Sequence, residues 1–243
     1  MAAAKFALSI LFLHCGLTMA LIGTKNTMDM LDFLDKNVDR EGVVKRKSKL
    51  QYKVLQNGTG EFHPLKDSPC ECHHRSTTLA LTPDVMDKPE EEWDTVNSTY
   101  ARGTPDIMIP MYEIKAIKEA LQLMVEGDRW ELYIHSELAY GDNGIERILG
   151  GDLLILRLEL LRIKGLKTRA AVCDPKSREG CAPDEIELLE SLGANPSTDS
   201  MKAMEASITK KLNGALKPVE RIEVKAKLAI LKKLRMARKR EEL

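Results

Sequence analysis

The run Cys70-Glu71-Cys72-His73-His74 is the densest group of chemically capable side chains in the sequence. Thiolate and imidazole are the usual ligands of zinc, so a soft-metal site is one reading of it. Strand alternation argues against that reading. It places Cys70, Cys72 and His74 on one face and His73 on the other, which strains a four-ligand tetrahedral site. The favoured expectation is therefore no metal and no other cofactor. No Ser-His-Asp set and no phosphate-cradling loop is apparent. Cys173 and Cys181 bracket a short polar loop, Asp174 to Gly180. In an oxidising compartment they are expected to bridge, closing a loop worth roughly 2–3 kcal/mol by chain entropy. Asn57-Gly58-Thr59 and Asn97-Ser98-Thr99 have the form of glycosylation acceptors, whereas Asn195-Pro196-Ser197 carries a blocking proline.

These features point to the secretory route, and the two ends of the sequence agree. Lys5 precedes the apolar run Phe6 to Leu13, and Thr18-Met19-Ala20 supplies small residues, so residues 1–23 read as a signal peptide. Cleavage would remove Cys15 and leave an even number of cysteines. Arg240-Glu241-Glu242-Leu243 is close to a retention address for the endoplasmic reticulum lumen and implies a retention receptor as a partner. Lysine plus arginine equals aspartate plus glutamate, 37 against 37, so no nucleic-acid partner is expected. No apolar run after the signal is long enough to span a bilayer. The basic stretch from Lys225 to Arg240 reads as the solvated face of a helix, with an anionic partner as the alternative.

The elements that must position these side chains fall into zones. Residues 24–49 are expected to hold a short amphipathic helix, Thr27 to Asn37, with Met28, Leu31 and Leu34 in helical register and Phe33 widening that face, followed by a charged linker from Asp39. Residues 50–165 change to alternation. Trp130, Leu132 and Ile134 share one face, as do Leu154, Leu156, Leu158 and Leu160, with Arg157 and Glu159 outward. One helix intervenes, marked by Ile114, Ile117, Leu121 and Met124, with Gly127 placed to cap it. The pattern predicts an α+β domain, an antiparallel sheet wrapped around one amphipathic helix. Residues 166–243 read as a small helical appendage. Pro183 opens its first helix, Met201 to Leu212 form a second, and a third follows Pro218.

Several segments of 50–165 carry a specific likeness. The entry Lys49-Leu50-Gln51-Tyr52-Lys53-Val54-Leu55 closes on Gly58-Thr59-Gly60. Ser98-Thr99-Tyr100-Ala101-Arg102-Gly103-Thr104-Pro105 follows, then Gly127-Asp128-Arg129-Trp130-Glu131-Leu132-Tyr133-Ile134 and Glu137-Leu138-Ala139-Tyr140-Gly141. In this order, over a little under half of the chain, they resemble the FKBP-type peptidyl-prolyl isomerase domain.

The resemblance implies a bowl that binds proline-containing segments of secretory client proteins and eases rotation about the X–Pro bond. It assigns Tyr140 as a wall, the Ile114 backbone N–H as donor to the flanking carbonyl, and Ile117 and Leu156 as apolar surface, these four forming the catalytic set. His74, Val96, Asn97, Met108 and Ile148 are the expected substrate-binding residues. The family's aromatics are largely absent: Ile117 stands for a tryptophan and Leu156 for a phenylalanine, while Glu113 introduces a charge at the rim. The implied bowl is apolar but shallower, which predicts a folding helper of weak activity or, alternatively, a non-catalytic peptide-binding module.

Overall fold

The structure, a computed structural model, describes residues 25–171, 173–193 and 196–241. The signal segment and the last two residues of the retention address lie outside the described residues. The chain divides into two compact units, one ending at Gly165 and one beginning at Leu166. Among the described residues, no helix is long and apolar enough to cross a membrane.

In the first unit, helix α1 (residues 25–37) precedes strands β1 (Val43–Lys45) and β2 (Gln51–Gln56). A short strand β3 (Phe62–Pro64) stands apart from the main sheet. The sheet is completed by β4 (Cys70–Thr78), β5 (Asn97–Ser98), β6 (Asp106–Met108), β7 (Arg129–Ile134) and β8 (Leu154–Ile163). Its order is β1-β2-β7-β8-β4-β5, with β6 also on β4, and its pairings are antiparallel. Leu132 lies opposite Leu156, and Trp130 opposite Leu158, so the alternation in both strands delivers one apolar face. Helix α3 (Lys115–Leu121) packs there through Ala116, Ile117, Ala120 and Leu121. Leu132, Leu158 and Leu160 are fully buried in this core, each worth about 2 kcal/mol of burial.

The opposite face is also covered, which alternation alone did not predict. Tyr133 and Ile155 point into a second core with Met30 and Leu34 of α1, Val85 and Trp93. Glu131 and Arg157 are drawn into it as an ion-pair network. Arg157 meets Glu131 at 2.5 Å and Glu90 at 2.6 Å, Glu90 also pairs with Arg129, and the Arg157 guanidinium lies 4.8 Å above the Trp93 ring. Arg157 is therefore no solvent-facing residue.

Three local expectations are corrected. In α1 the inward residues are Met30, Phe33, Leu34 and Asn37, while Met28 and Leu31 are 66% and 45% exposed. The expected linker contains β1, because Val43 and Val44 can pair with Lys53 and Tyr52. Gly127 does not cap α3, whose C-cap is Gln122. With φ +92°, Gly127 turns the chain against Gly58, where Asp128 accepts hydrogen bonds from Gly58 N–H at 2.7 Å and Val125 N–H at 2.8 Å.

The second unit contains α4 (Pro183–Leu192), α5 (Thr198–Leu212) and α6 (Pro218–Glu241). Pro183 occupies the first turn of α4, and Ser197 caps α5 by accepting from Ser200 N–H at 3.1 Å. Cys173 and Cys181 form a disulfide, and Cys173 packs with Leu189 and Ile230. Val224, Ile230 and Leu231 of α6 are buried.

Candidate functional site

A cleft of about 600 Å³ opens where β4, β5 and β6 meet the start of α3 and the loop from Tyr140 to Ile148. Each wall has a local cause. Ser98 caps the short helix α2 (Thr99–Arg102) by accepting from Ala101 N–H, and Gly103 ends that helix at φ +72°. The buried Thr99 hydroxyl accepts from His74 N–H at 2.8 Å and donates to the His74 carbonyl at 3.0 Å, which fixes α2 to β4. Opposite, Ile145 and Ile148 exchange backbone hydrogen bonds at 2.9 and 2.8 Å. Gly144 is required there, since at φ +66° an added Cβ would lie 2.2 Å from the Ile148 carbonyl oxygen. Arg147 donates to the Thr95 carbonyl at 2.7 Å and ties the loop to the segment before β5.

The fold gathers most of the residues singled out from the sequence. Tyr140, Ile114, Ile117, Ile148, His74, Val96, Asn97 and Met108 all line the cleft. Leu156 is the exception. It is 2% exposed within the main core, and Leu154, one same-face step earlier on β8, reaches the cleft instead.

Ile114 is the residue preceding α3, and its carbonyl accepts from Lys118 N–H at 3.0 Å. Its own N–H meets no acceptor among the described residues and is free to meet a ligand. Cys70 and Cys72 are core side chains, and burial pushes the Cys70 thiol up to about 11 and Cys72 higher still. Both are inert thiols at neutral pH. Asn57 is exposed in the turn after β2, and Asn97 is exposed on the cleft wall. A hollow of about 640 Å³ beneath α1 holds none of the expected site residues.

The cleft is more polar than the sequence suggested. Asp106, Ser76 and Glu146, which sequence reasoning missed, stand in its lining beside Glu113. Asp106 could have been found from its spacing, because β6 alternation puts it on the same face as Met108. Its Oδ2 accepts from His74 Nε2 at 3.0 Å and from Arg102 at 2.7 Å, and Arg102 also donates to Asn97 Oδ1 at 3.0 Å. Burial lowers the His74 pKa despite Asp106, so its ring is neutral at pH 7 with Nε2 carrying the proton. The His74 hydrogen bond and then Arg102 hold Asp106 below the usual carboxylate range. Glu113 is pushed upward by burial and by Asp106, and Tyr140 by burial, then Glu113 and Glu146.

The arrangement offers apolar surface, a free backbone donor at Ile114 and fixed charges, with no activated nucleophile among the described residues. It is suited to binding and orienting an extended peptide. Comparison with known proteins agrees. Residues 95–161 match the family model described as FKBP-type peptidyl-prolyl cis-trans isomerase. The chain is 35% identical over 146 residues to a macrophage infectivity potentiator of Trypanosoma cruzi, covering 57% of this chain and 66% of that protein. It is 33% identical over 132 residues to an FKBP-type 22 kDa peptidyl-prolyl cis-trans isomerase of Escherichia coli, covering 54% and 58%. The match to the peptidyl-prolyl cis-trans isomerase Mip of Coxiella burnetii is also 33%, over 54% of this chain and 52% of that one. The chain thus spans between half and two thirds of these relatives. The crystal structure of FkpA from Escherichia coli superposes with a TM-score of 0.58 at 22% identity, covering 67% of this chain and 70% of that one, which speaks for the fold.

Proposed function

We propose that this chain, which matches the FKBP-type peptidyl-prolyl cis-trans isomerase family over residues 95–161, binds proline-containing segments in its cleft and accelerates rotation about the X–Pro bond. The observation that carries this reading is the free Ile114 N–H set beside the apolar surface of Ile117, Tyr140 and Ile148. Amide resonance sets a barrier of about 18–20 kcal/mol, and the twisted amide has lost the charge separation that water solvates. An apolar wall therefore costs the twisted form less than the planar one. The Ile114 N–H holds the flanking carbonyl while the ring turns. Because Ile117 and Leu154 offer no aromatic face, we expect slower turnover than in an aromatic bowl.

The test is isomerisation of a prolyl peptide by the full chain. Acceleration over the uncatalysed rate, weakened by Ile117→Ala, supports the reading. Binding without acceleration would favour the second reading, a non-catalytic module, to which the charge of Glu113 at the wall lends weight.

The proposal includes residence in the lumen of the endoplasmic reticulum, with secretory proteins as clients and a retention receptor at the C-terminal address. The Cys173–Cys181 disulfide and the apolar run Phe6 to Leu13 support it. Replacing Leu243 should release the protein into the medium, and firm retention of the altered protein would count against that address.

A further inference from the structure

Resting on the reading of the cleft as a prolyl-peptide site, we propose that it selects segments carrying lysine or arginine beside the proline. Three carboxylates, Asp106, Glu113 and Glu146, stand in the cleft lining, and no lysine or arginine stands there with them. Asp106 is already engaged by His74 and Arg102. Arg147, on the loop, is committed to the Thr95 carbonyl. The side-chain carboxylates of Glu113 and Glu146 have no hydrogen-bond or ion-pair partner among the described residues.

Glu113 is the more telling of the two. Its carboxylate is half-buried, and burial together with Asp106 disfavours its charge, so a cation arriving with the ligand relieves a standing cost. Its position fixes where that cation must sit. Glu113 directly precedes Ile114, whose free N–H takes the carbonyl flanking the proline. Neighbouring residues of an extended peptide are about 3.3 Å apart along the chain, so the charge falls on a residue adjacent to the proline. The long stem of lysine or arginine can lie on Ile114 and Tyr140 while its head reaches the carboxylates. A glutamate at the same peptide position would meet like charge and lose affinity.

The experiment uses the full chain and three peptides that differ only before the proline, which is preceded by Lys, Leu or Glu. Calorimetric titration and isomerisation are both read. The expected order is Lys, then Leu, then Glu, with Lys binding about three- to tenfold tighter than Glu at low ionic strength. The ratio should shrink in 1 M salt and collapse in Glu113→Gln with Glu146→Gln, each checked for native circular dichroism. Equal binding of the three peptides, no binding of the Lys peptide, or a ratio that survives both substitutions overturns the proposal. Charge-ordered binding with no turnover supports this preference while refuting the isomerase reading. Turnover that is indifferent to the preceding residue does the reverse.

Discussion

The family resemblance treats Ile117 and Leu156 as equivalent places to restore an aromatic, but their surroundings predict opposite outcomes. Ile117 projects from α3 into the cleft lining, so part of a tryptophan placed there can extend into open space. An aromatic face against a prolyl ring is worth about 0.5–1.5 kcal/mol beyond area, which is roughly a two- to tenfold tighter Kd for Ile117→Trp. Leu156 has no such space. It is 2% exposed and cross-paired with Leu132 and Ser76 inside the core. A phenylalanine must displace those neighbours, at a cost of about 1–3 kcal/mol of stability, or a fall in Tm of roughly 3–10 °C. Calorimetric titration with one prolyl peptide and thermal unfolding of each variant give both numbers. Leu156→Phe matching Ile117→Trp in affinity with no loss of Tm would refute the placement of Leu156 beneath the cleft. No gain from a well-folded Ile117→Trp would refute the role given to the floor.

Glu90→Ala should destabilise the first unit by about 2–3 kcal/mol, below the cost of breaking a fully buried pair because Arg157 keeps Glu131. Urea unfolding followed by tryptophan fluorescence measures it. Burial alone would raise the Glu90 pKa, but Arg157 and Arg129 overcome it and the folded value lies below the ordinary one. Its contribution is thus complete at neutral pH and lost as pH falls below about 4, so wild type and Glu90→Ala should converge in acid. Cys173→Ser should cost the helical unit about 2–3 kcal/mol, read as faster amide exchange in 183–241, and a non-reduced digest of wild type should contain one linked peptide. Asn97 is exposed on the cleft wall, so protein glycosylated there should turn over prolyl peptides more slowly than Asn97→Gln made by the same route. Equal rates would exclude a glycan at the entrance.

The strands and the main core were legible because their information is local. Trp130, Leu132 and Ile134, like Leu154, Leu156, Leu158 and Leu160, recur with period two, so each set falls on one face of its strand. Pro183 and the Gly58–Gly60 turn are punctuation of the same kind. Most of the cleft was legible too, but only because ordered motifs placed Tyr140, Ile114 and His74 by resemblance. Spacing alone cannot bring residues 26 to 66 positions apart to one cavity.

What the tertiary structure decided lies where two distant segments share a face. Whether Glu131 and Arg157 meet water or each other depends on α1 and Glu90 arriving from elsewhere in the chain. Met28 and Leu31 fit a helical stripe as well as Met30 and Phe33 do, and only the position of the sheet chooses between them. Spacing puts Asp106 on the Met108 side of β6, but only the pairing of β6 with β4 sets it against His74 and Arg102. Periodicity assigns a residue to a side of its own element. It does not say what will be packed against that side, because burial and charge pairing are properties of two surfaces brought together.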